Sequence, residues 1–314
     1  MASHVPVALN RCIELISVAI SKSNSPVAVD ATLGLGGHSA QLLNSFPNLK
    51  LIAIDRDPNA IAIAKERLAK FESRITYVNK TYDFIDEAIA QLNLPCVDAI
   101  LFDLGVSSMQ LDEATRGFSY SQSAPLDMRM NPTDVKTAKT IVNSYSVAEL
   151  TRILKIYGEE RFANRIAKNI EKARSSGEIN DTAQLAQLVK DSIPAPARRI
   201  GGNPAKRTFQ ALRIEVNQEL EILESALPKA LSALAVGGRL VVMSYQSLED
   251  KIVKQIFKNA TDSKSPLGLP IELPNSAAKY RLVINGSEAA SESEQVENPR
   301  SASMRLRAIE RVAA

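Results

Sequence analysis

The sequence predicts an α/β fold, a doubly wound, mainly parallel seven-stranded sheet with an inserted α-helical domain. In the first third of the chain, short apolar segments alternate with stretches of helical length. This alternation is typical of a parallel sheet with helices on both faces. After residue 112 the alternation stops, helical patterns follow, and a strand pattern returns only at 239–244. One α/β domain built from both ends of the chain, with a helical module inserted into it, accounts for this order.

Local patterns predict the individual elements. The strand segments are 27–31, 50–54, 75–78, 97–102, 239–244, 280–284 and 304–312. The helical patterns lie at 5–22, 38–46, 58–70, 83–92, 147–157, 160–175, 182–192 and 208–235, with one more from 247. A capping box, Ser146 to Glu149, opens the helix at 147–157, and Gly237 with Gly238 ends the helix at 208–235. The predicted α/β domain comprises residues 1–112 and 209–314, and the helical domain comprises residues 113–208.

The first strand runs into a glycine-rich turn that is typical of a nucleotide pocket. Gly34 and Gly36 follow the strand and precede a helix, and Asp55 ends the second strand. Glycines let the backbone approach a ligand closely, and an acid at the second strand tip can accept both ribose hydroxyls. The segment therefore predicts a nucleotide site in which Asp55 binds the ribose.

Two residues indicate which nucleotide binds. Ser39 stands where a dinucleotide fingerprint has its third glycine, and Asp30 lies four residues before Gly34. A carboxylate at this turn would repel a pyrophosphate but suits a ligand with an ammonium or sulfonium group. We therefore expect S-adenosylmethionine. The alternative is a structural turn with an incidental acid.

The fourth strand ends at Asp103, and ligands of such sheets bind outside the carboxyl ends of the strands. Asp103 should therefore face the same cleft as Gly36 and Asp55. Gly105 would let backbone carbonyls approach a substrate. The alternative is a buried structural aspartate that caps the next turn.

Composition excludes several classes of protein. The formal net charge is +3, and no run of 18 apolar residues predicts a transmembrane helix. Two cysteines and two histidines argue against a disulfide framework and a metal site, and we expect a cytoplasmic protein. Residues 136–207 carry 14 lysines and arginines against 7 acids, which fits a phosphate-rich partner or a set of solvated helix faces. The oligomeric state stays open, and a homodimer is one alternative.

Several motifs together resemble the RsmH/MraW family. They are Asp30-Ala-Thr-Leu-Gly-Leu-Gly-Gly-His38-Ser, Ala53-Ile-Asp55-Arg-Asp-Pro58, Asp103-Leu-Gly-Val-Ser-Ser-Met-Gln110-Leu-Asp112, Pro125-Leu-Asp-Met-Arg129-Met, Tyr157-Gly-Glu-Glu-Arg161-Phe, Arg207-Thr-Phe-Gln-Ala-Leu-Arg213-Ile and Ser247-Leu-Glu-Asp250, with His4-Val-Pro-Val at the start. The resemblance spans nearly the whole chain in order. It implies a Rossmann-like class I methyltransferase that uses S-adenosylmethionine to methylate the exocyclic N4 of a cytidine in the decoding region of 16S ribosomal RNA in the small subunit.

The resemblance also assigns site residues. Donor contacts are expected from Gly36, Gly37, His38, Asp55, Tyr82, Asp103 and Gln110, with Gly34 in the same turn. Tyr82 stands where the family usually has phenylalanine beside the adenine. The family's Phe-His-Ser-Leu-Glu-Asp reads Tyr245-Gln246-Ser-Leu-Glu-Asp here. Gln246 therefore replaces a histidine, which titrates near neutral pH, with an amide that does not. We expect His38 to contact the donor through its backbone and to have no acid–base role.

The acceptor chemistry suggests a role for Asp103. A cytosine amine is a poor nucleophile, and an acceptor for its N–H stabilises the charge that develops on nitrogen. Asp103, or the carbonyls of Leu104 and Gly105, could be that acceptor. Methylation at C5 would need a nucleophilic cysteine, and neither Cys12 nor Cys96 stands at a strand tip. RNA contacts are expected from Ser107, Arg129, Arg198, Arg199, Arg207, Arg213, Asn217 and Gln246.

Rival functions share parts of this pattern. An NAD-dependent reductase would share the first two strands but needs the third glycine. A non-catalytic RNA-binding scaffold would need neither Asp55 nor Asp103. A methyltransferase of the same fold that acts on DNA or protein stays open.

Overall fold

The computed structural model describes residues 6–198, 203–263 and 277–314. Its strands are β1 Val27–Asp30, β2 Lys50–Ile54, β3 Ile75–Val78, β4 Val97–Asp103, β5 Leu234–Ser244, β6 Tyr280–Leu282 and β7 Arg305–Arg311. Its α-helices are α1 Leu9–Ile20, α2 Gly37–Ser45, α3 Pro58–Arg67, α4 Ile85–Ala90, α5 Ser108–Asp112, α6 Ala138–Ser144, α7 Val147–Ile156, α8 Ala163–Arg174, α9 Thr182–Ser192, α10 Ala195–Arg198, α11 Lys206–Asn217, α12 Glu219–Ala233, α13 Ser247–Thr261 and α14 Glu292–Glu297. Short 3₁₀ turns lie at Ala69–Arg74, Tyr82–Phe84, Ala114–Arg116 and Pro299–Ser303.

The chain forms two compact units. The first comprises Met1–Gly105 and Leu220–Ala314, and the second comprises Val106–Glu219. Helix α5 and the whole of helix α11 belong to the second unit, which therefore extends beyond both predicted boundaries, 113 and 208.

The first unit contains a seven-stranded sheet of order β3-β2-β1-β4-β5-β7-β6. Strands β1 to β5 pair in parallel, and β7 runs antiparallel to both β5 and β6. Alternate residues of the central strands enter two separate cores, as Leu101 and Phe102 of β4 illustrate. Helices α1, α2 and α3 cover one face, and α4, α12 and α13 cover the other. The predicted doubly wound, mainly parallel sheet is confirmed.

The predicted helix over 208–235 is wrong in extent. Helix α11 ends at Asn217, and Gln218 adopts a left-handed conformation with φ 51° before α12 begins. Strand β5 starts at Leu234, so Gly237 and Gly238 lie inside the strand rather than at a helix end. The pairing of β4 with β5 shifts register across this stretch, and Gly237 has φ 84°, so the glycines form a bulge.

The second unit is helical and has its own core, made by apolar residues such as Ile141, Leu150, Ile153, Ile166 and Leu212. The capping box predicted for α7 is confirmed by reciprocal bonds. Ser146 Oγ accepts the Glu149 N–H at 3.3 Å, and Glu149 Oε2 accepts the Ser146 N–H at 2.8 Å. Among the residues described, no helix is long and apolar enough to cross a membrane.

Candidate active site

Three strand tips of the first unit bring acidic residues to one edge of the sheet. Asp30 pairs in register with Ala53 of β2 on one side and with Leu101 of β4 on the other. Asp55 and Asp103 each lie two residues beyond those partners. Since adjacent strands are about 4.8 Å apart, the two acids flank the turn after β1 at about two strand spacings. The topology therefore brings Asp55, Asp103 and the glycine turn together, as the sequence predicts.

The turn after β1 depends on two glycines. Gly34 has φ 50° and Gly36, which precedes α2, has φ 73°, a region that side chains disfavour. A Cβ on Gly36 would also lie 3.0 Å from Leu68 Cδ1. Gly37 opens α2 and packs against the ring of Pro6, where a Cβ would overlap it. The turn thus presents backbone rather than side chains at the strand tip.

Asp55 holds this turn from the tip of β2. Its Oδ2 accepts the Gly34 N–H at 2.7 Å, and its Oδ1 accepts the Asp57 N–H at 2.8 Å. Burial raises the pKa of Asp55 to about 6, against the lowering effect of these two bonds. A carboxylate oxygen can accept more than one bond, so each oxygen keeps capacity for a ribose hydroxyl.

Asp30 is an internal partner rather than an exposed ligand contact. It is buried, its Oδ2 accepts the Ser39 hydroxyl at 2.6 Å, and its Oδ1 accepts the Thr32 N–H at 3.2 Å. The expectation that Asp30 faces a cationic ligand is therefore wrong as a direct contact. The bond to Asp30 also explains why serine stands at position 39, where a dinucleotide-binding fold has glycine. The Ser39 side chain links α2 to β1.

His38 is buried, and its ring bridges two elements. Nε2 lies 3.1 Å from the Val7 carbonyl, so it carries the hydrogen and donates it. Nδ1 lies 3.8 Å from Asp103 Oδ2. Burial lowers the pKa of His38, with Asp30 opposing that shift, so the ring is neutral at physiological pH.

Two hydrogen bonds hold Asp103, one through its backbone N–H and one through a carboxylate oxygen. Its N–H donates to Thr32 Oγ1 at 2.6 Å, and its Oδ1 accepts the Tyr245 hydroxyl at 2.7 Å. Its side chain is 28% exposed, so a ligand can reach it. In the sequence Tyr245 is only a departure from the family's phenylalanine, and its contact with Asp103 is visible only in three dimensions.

Tyr82 and Gln246 occupy two further strand tips. The Tyr82 ring is half-buried and meets Phe102 edge-on, with centroids 5.3 Å apart at 75°. Gln246 donates its amide to Glu249 Oε1 at 3.2 Å, and its own Oε1 is buried without a hydrogen-bond partner. The side chain predicted to bind substrate is therefore drawn toward α13.

Ser107 and Gln110 belong to the second unit. They form a capping box at the start of α5, in which Ser107 Oγ accepts the Gln110 N–H at 3.3 Å and Gln110 Oε1 accepts the Ser107 N–H at 3.1 Å. Gln110 is buried. The two predicted contact residues thus have a structural role in ending the loop before α5.

Most of the predicted RNA-binding side chains bond within the second unit. Arg129 forms a bidentate pair with Asp127, at 2.8 and 2.6 Å, and Arg213 forms one with Glu219, at 2.8 and 2.9 Å. Arg198 donates Nε to the Ile193 carbonyl at 2.6 Å. Local acceptors thus already take several N–H groups of these arginines, and phosphate binding by them stays a prediction. Arg199 lies outside the described residues, as does His4.

Asn217, which was predicted to contact the substrate, is buried. Its Nδ2 donates to the carbonyls of Met128 and Arg213, both at 2.8 Å, and its Oδ1 accepts the Met130 N–H at 2.8 Å. The residue fastens the irregular segment before α6 to helix α11. Arg207 differs, since it is exposed and makes a 3.3 Å bond to the Glu159 carbonyl.

Sequence reasoning missed an exposed set of cations on α8 and the turn before it. We call this set the basic ridge; its members are Arg161, Arg165, Lys168 and Lys172, and all four are exposed. Their spacing of 4, 3 and 4 residues places them on one side of the helix. The same spacing is visible in the sequence and could have identified the ridge. Arg207 bonds to a carbonyl two residues before Arg161.

The strand tips fit an adenosyl donor with a positive sulfonium. The turn offers backbone at Gly34 and Gly36, Asp55 offers acceptors for a ribose, and the exposed face of Asp103 offers negative charge. Within 6–198, 203–263 and 277–314, no cluster of three or more histidines, cysteines or acids could hold a metal ion.

Comparison with known proteins gives a consistent result. A model of the MraW methylase family matches residues 1–312. A curated relative from Mycolicibacterium smegmatis is 56% identical over 313 residues, which is 98% of this chain and 84% of that protein. Relatives from Rhodococcus jostii and Saccharopolyspora erythraea are 55% and 54% identical, covering 99% and 98% of this chain and 94% and 93% of theirs. All three are named ribosomal RNA small subunit methyltransferase H.

Proposed function

The chain belongs to the MraW methylase family, whose members use S-adenosylmethionine, and on that premise we propose that it methylates 16S ribosomal RNA. The proposed acceptor is the exocyclic N4 of a cytidine in the decoding region, within the small ribosomal subunit in the cytoplasm. The names of the relatives support small-subunit ribosomal RNA as the substrate class. The observation that carries the proposed reaction is the accessible Asp103 carboxylate beside the glycine turn.

The turn and the tips of β2 and β3 would hold the donor. Gly34 and Gly36 would leave room for its amino-acid end, Asp55 would accept its ribose hydroxyls, and the Tyr82 ring would lie beside its adenine. When bound, the donor supplies a methyl group on a positively charged sulfur. Two nearby carboxylates give the site a negative charge that favours such a ligand. His38 is neutral and does not cancel that charge.

Asp103 accepts a hydrogen bond from the cytosine amine as the new bond to carbon forms. The donor would supply the methyl group and keep the electron pair of its carbon–sulfur bond, so positive charge would develop on the amine nitrogen. The carboxylate stabilises the developing charge and takes up one amine proton, which it then releases to water.

A covalent route through cysteine is disfavoured. Cys12 is buried, and burial raises the pKa of its thiol well above the ordinary value, so it is not a ready nucleophile. Cys96 lies immediately before β4, at the opposite end of that strand from Asp103. These positions support transfer to nitrogen over transfer to cytosine C5, which needs a thiolate.

The second unit supplies phosphate contacts in this proposal. Its basic ridge presents four exposed cations, and Arg207 lies next to its first member through the Glu159 carbonyl. Such side chains neutralise backbone phosphates and position an RNA without reading its sequence.

Methyl transfer tests the proposal. The protein is incubated with tritium-labelled S-adenosylmethionine and isolated small subunits, free 16S RNA, or DNA of matched length, and labelled nucleosides are identified. We expect label in N4-methylcytidine from ribosomal RNA. Label that goes only to DNA or protein, or to cytosine C5, would contradict the proposed acceptor.

A further inference from the structure

We propose that Tyr245 is a positioning residue for methyl transfer, whose hydroxyl holds the Asp103 carboxylate in the orientation that meets the target amine. The inference deepens the proposed function and rests on it. The family that the sequence resembles typically has phenylalanine here, and phenylalanine has no hydroxyl with which to make this contact.

Tyr245 is anchored at both ends. Its backbone N–H and that of Gln246 donate to Glu249 Oε2, at 2.9 and 3.0 Å, and Glu249 is buried at the start of α13. At the far end of the ring, the hydroxyl donates to Asp103 Oδ1 at 2.7 Å. The side chain thus links the tip of β5 rigidly to the tip of β4.

This contact determines where the second carboxylate oxygen points. A carboxylate is planar, and the Asp103 backbone is already fixed by the bond to Thr32 Oγ1 at 2.6 Å. With Oδ1 bound to the hydroxyl, Oδ2 is directed to the side where His38 Nδ1 lies 3.8 Å away. Without the hydroxyl, the carboxylate can rotate and sample orientations that do not face the amine.

The same ring also supports the turn after β4. Gly105 has φ 100°, and a Cβ there would lie 3.6 Å from Tyr245 Cδ2, so the Gly105 backbone lies close to the ring. The carbonyls of this turn are the alternative acceptors for the amine. The Tyr245 ring therefore lies beside the turn that carries these alternative acceptors.

Tyr245 acts as a donor and not as a base. Burial, reinforced by the negative charge of Asp103, raises the pKa of Tyr245 far above its ordinary value. The hydroxyl therefore keeps its proton throughout the physiological range and donates it to the carboxylate continuously.

The first test compares two tyrosines. Tyr245→Phe removes only the hydroxyl, and we expect the single-turnover methyl-transfer rate at saturating donor to fall about tenfold, the effect of one hydrogen bond to a charged group. Donor affinity should stay within about threefold, because the ribose is held at Asp55 on another strand. Tyr280→Phe is the matched control, since its hydroxyl donates to the Leu231 carbonyl at 2.9 Å, and its rate should not change.

A double-mutant cycle distinguishes positioning from a general structural effect. Tyr245→Phe should have less than about a twofold effect in an Asp103→Ala background, because the hydroxyl acts through that carboxylate. An equal effect in both backgrounds would overturn the proposal, as would an unchanged rate in Tyr245→Phe.

The pH–rate profile gives an independent readout. Loss of the hydroxyl makes proton uptake by Asp103 easier, so the acid limb in Tyr245→Phe should move to higher pH, whereas a loss of folding would lower the whole profile. The other ionisable groups around the pair are unchanged in the variant; they are Asp30, His38, Cys12, Glu249 and Glu294. Failure of the wild-type protein to label small subunits would instead count against the proposed function.

Discussion

The acids at the strand tips of the α/β unit and the arginines of the helical unit were both predicted to bind ligands. In the structure the two groups of side chains have different surroundings. Asp55 and Asp103 are short side chains whose positions are set by strand register, and they flank the same turn. Arg129, Arg198 and Arg213 are long side chains that bond to acceptors close by in their own unit. The sheet topology therefore determines the position of a short aspartate side chain, whereas a long arginine side chain can bend to the acceptor that lies nearest.

The helical unit offers the strongest test of this difference. Asn217→Ala leaves the carbonyl of Met128 and the N–H of Met130 without their side-chain partner in a buried place. We expect a loss of about 3 kcal/mol in the free energy of unfolding, measured in urea. The exposed Asn164→Ala is the control and should change it by less than about 0.5 kcal/mol. A stable Asn217→Ala protein with weakened RNA binding would restore the original interpretation.

The acid at the tip of β2 should determine donor affinity. Asp55→Ala removes the acceptors for the ribose and for Gly34, and we expect S-adenosylmethionine to bind about 100-fold more weakly by calorimetry. Asp98→Ala is the matched control. Asp98 also accepts a backbone N–H, from Val27 at 2.8 Å, but it lies at the opposite end of β4 from Asp103. Equal losses in the two variants would indicate a fold effect and not a ribose contact.

The basic ridge should contribute more to RNA binding than the three arginines that bond within their own unit. We expect Lys168→Glu with Lys172→Glu to weaken binding of 16S RNA on the order of 30-fold and to reduce the salt slope by about two. Lys254→Glu with Lys258→Glu makes the same charge change at the same spacing on α13. A similar loss from both pairs would mean that net charge, and not the ridge, attracts the RNA.

The pH dependence of donor binding sharpens the role of Asp55. Only the ionised carboxylate accepts both ribose hydroxyls, and its pKa is raised by burial to about 6. The dissociation constant should be flat above that pH and should rise about tenfold for each unit below it. Asp55→Asn should remove this dependence, and a wild-type constant that is flat down to pH 4.5 would argue against the contact.

Most of the α/β unit could be predicted because its signals are local. Alternation of apolar segments gave all seven strands within a few residues, and glycines at positive φ marked the turn. The errors came where local signals were ambiguous. Glutamine is not a residue that signals a helix end, yet the left-handed conformation of Gln218 separates α11 from α12. The pair Gly237 and Gly238 is compatible with a helix end and with a bulge, and the structure has a bulge.

The sequence by itself determined the seven strands along the chain, the glycine turn, and the acids at the tips of β2 and β4, because hydrophobic periodicity and parallel topology leave few arrangements. Only the tertiary structure decided what those side chains do. In the folded protein Asp30 accepts a hydrogen bond from Ser39, and Arg213 pairs with Glu219. Asn217 is buried, and the Tyr245 hydroxyl donates to Asp103. The physical reason is that hydrogen-bond partners far apart in the chain are chosen by packing, which no local pattern encodes.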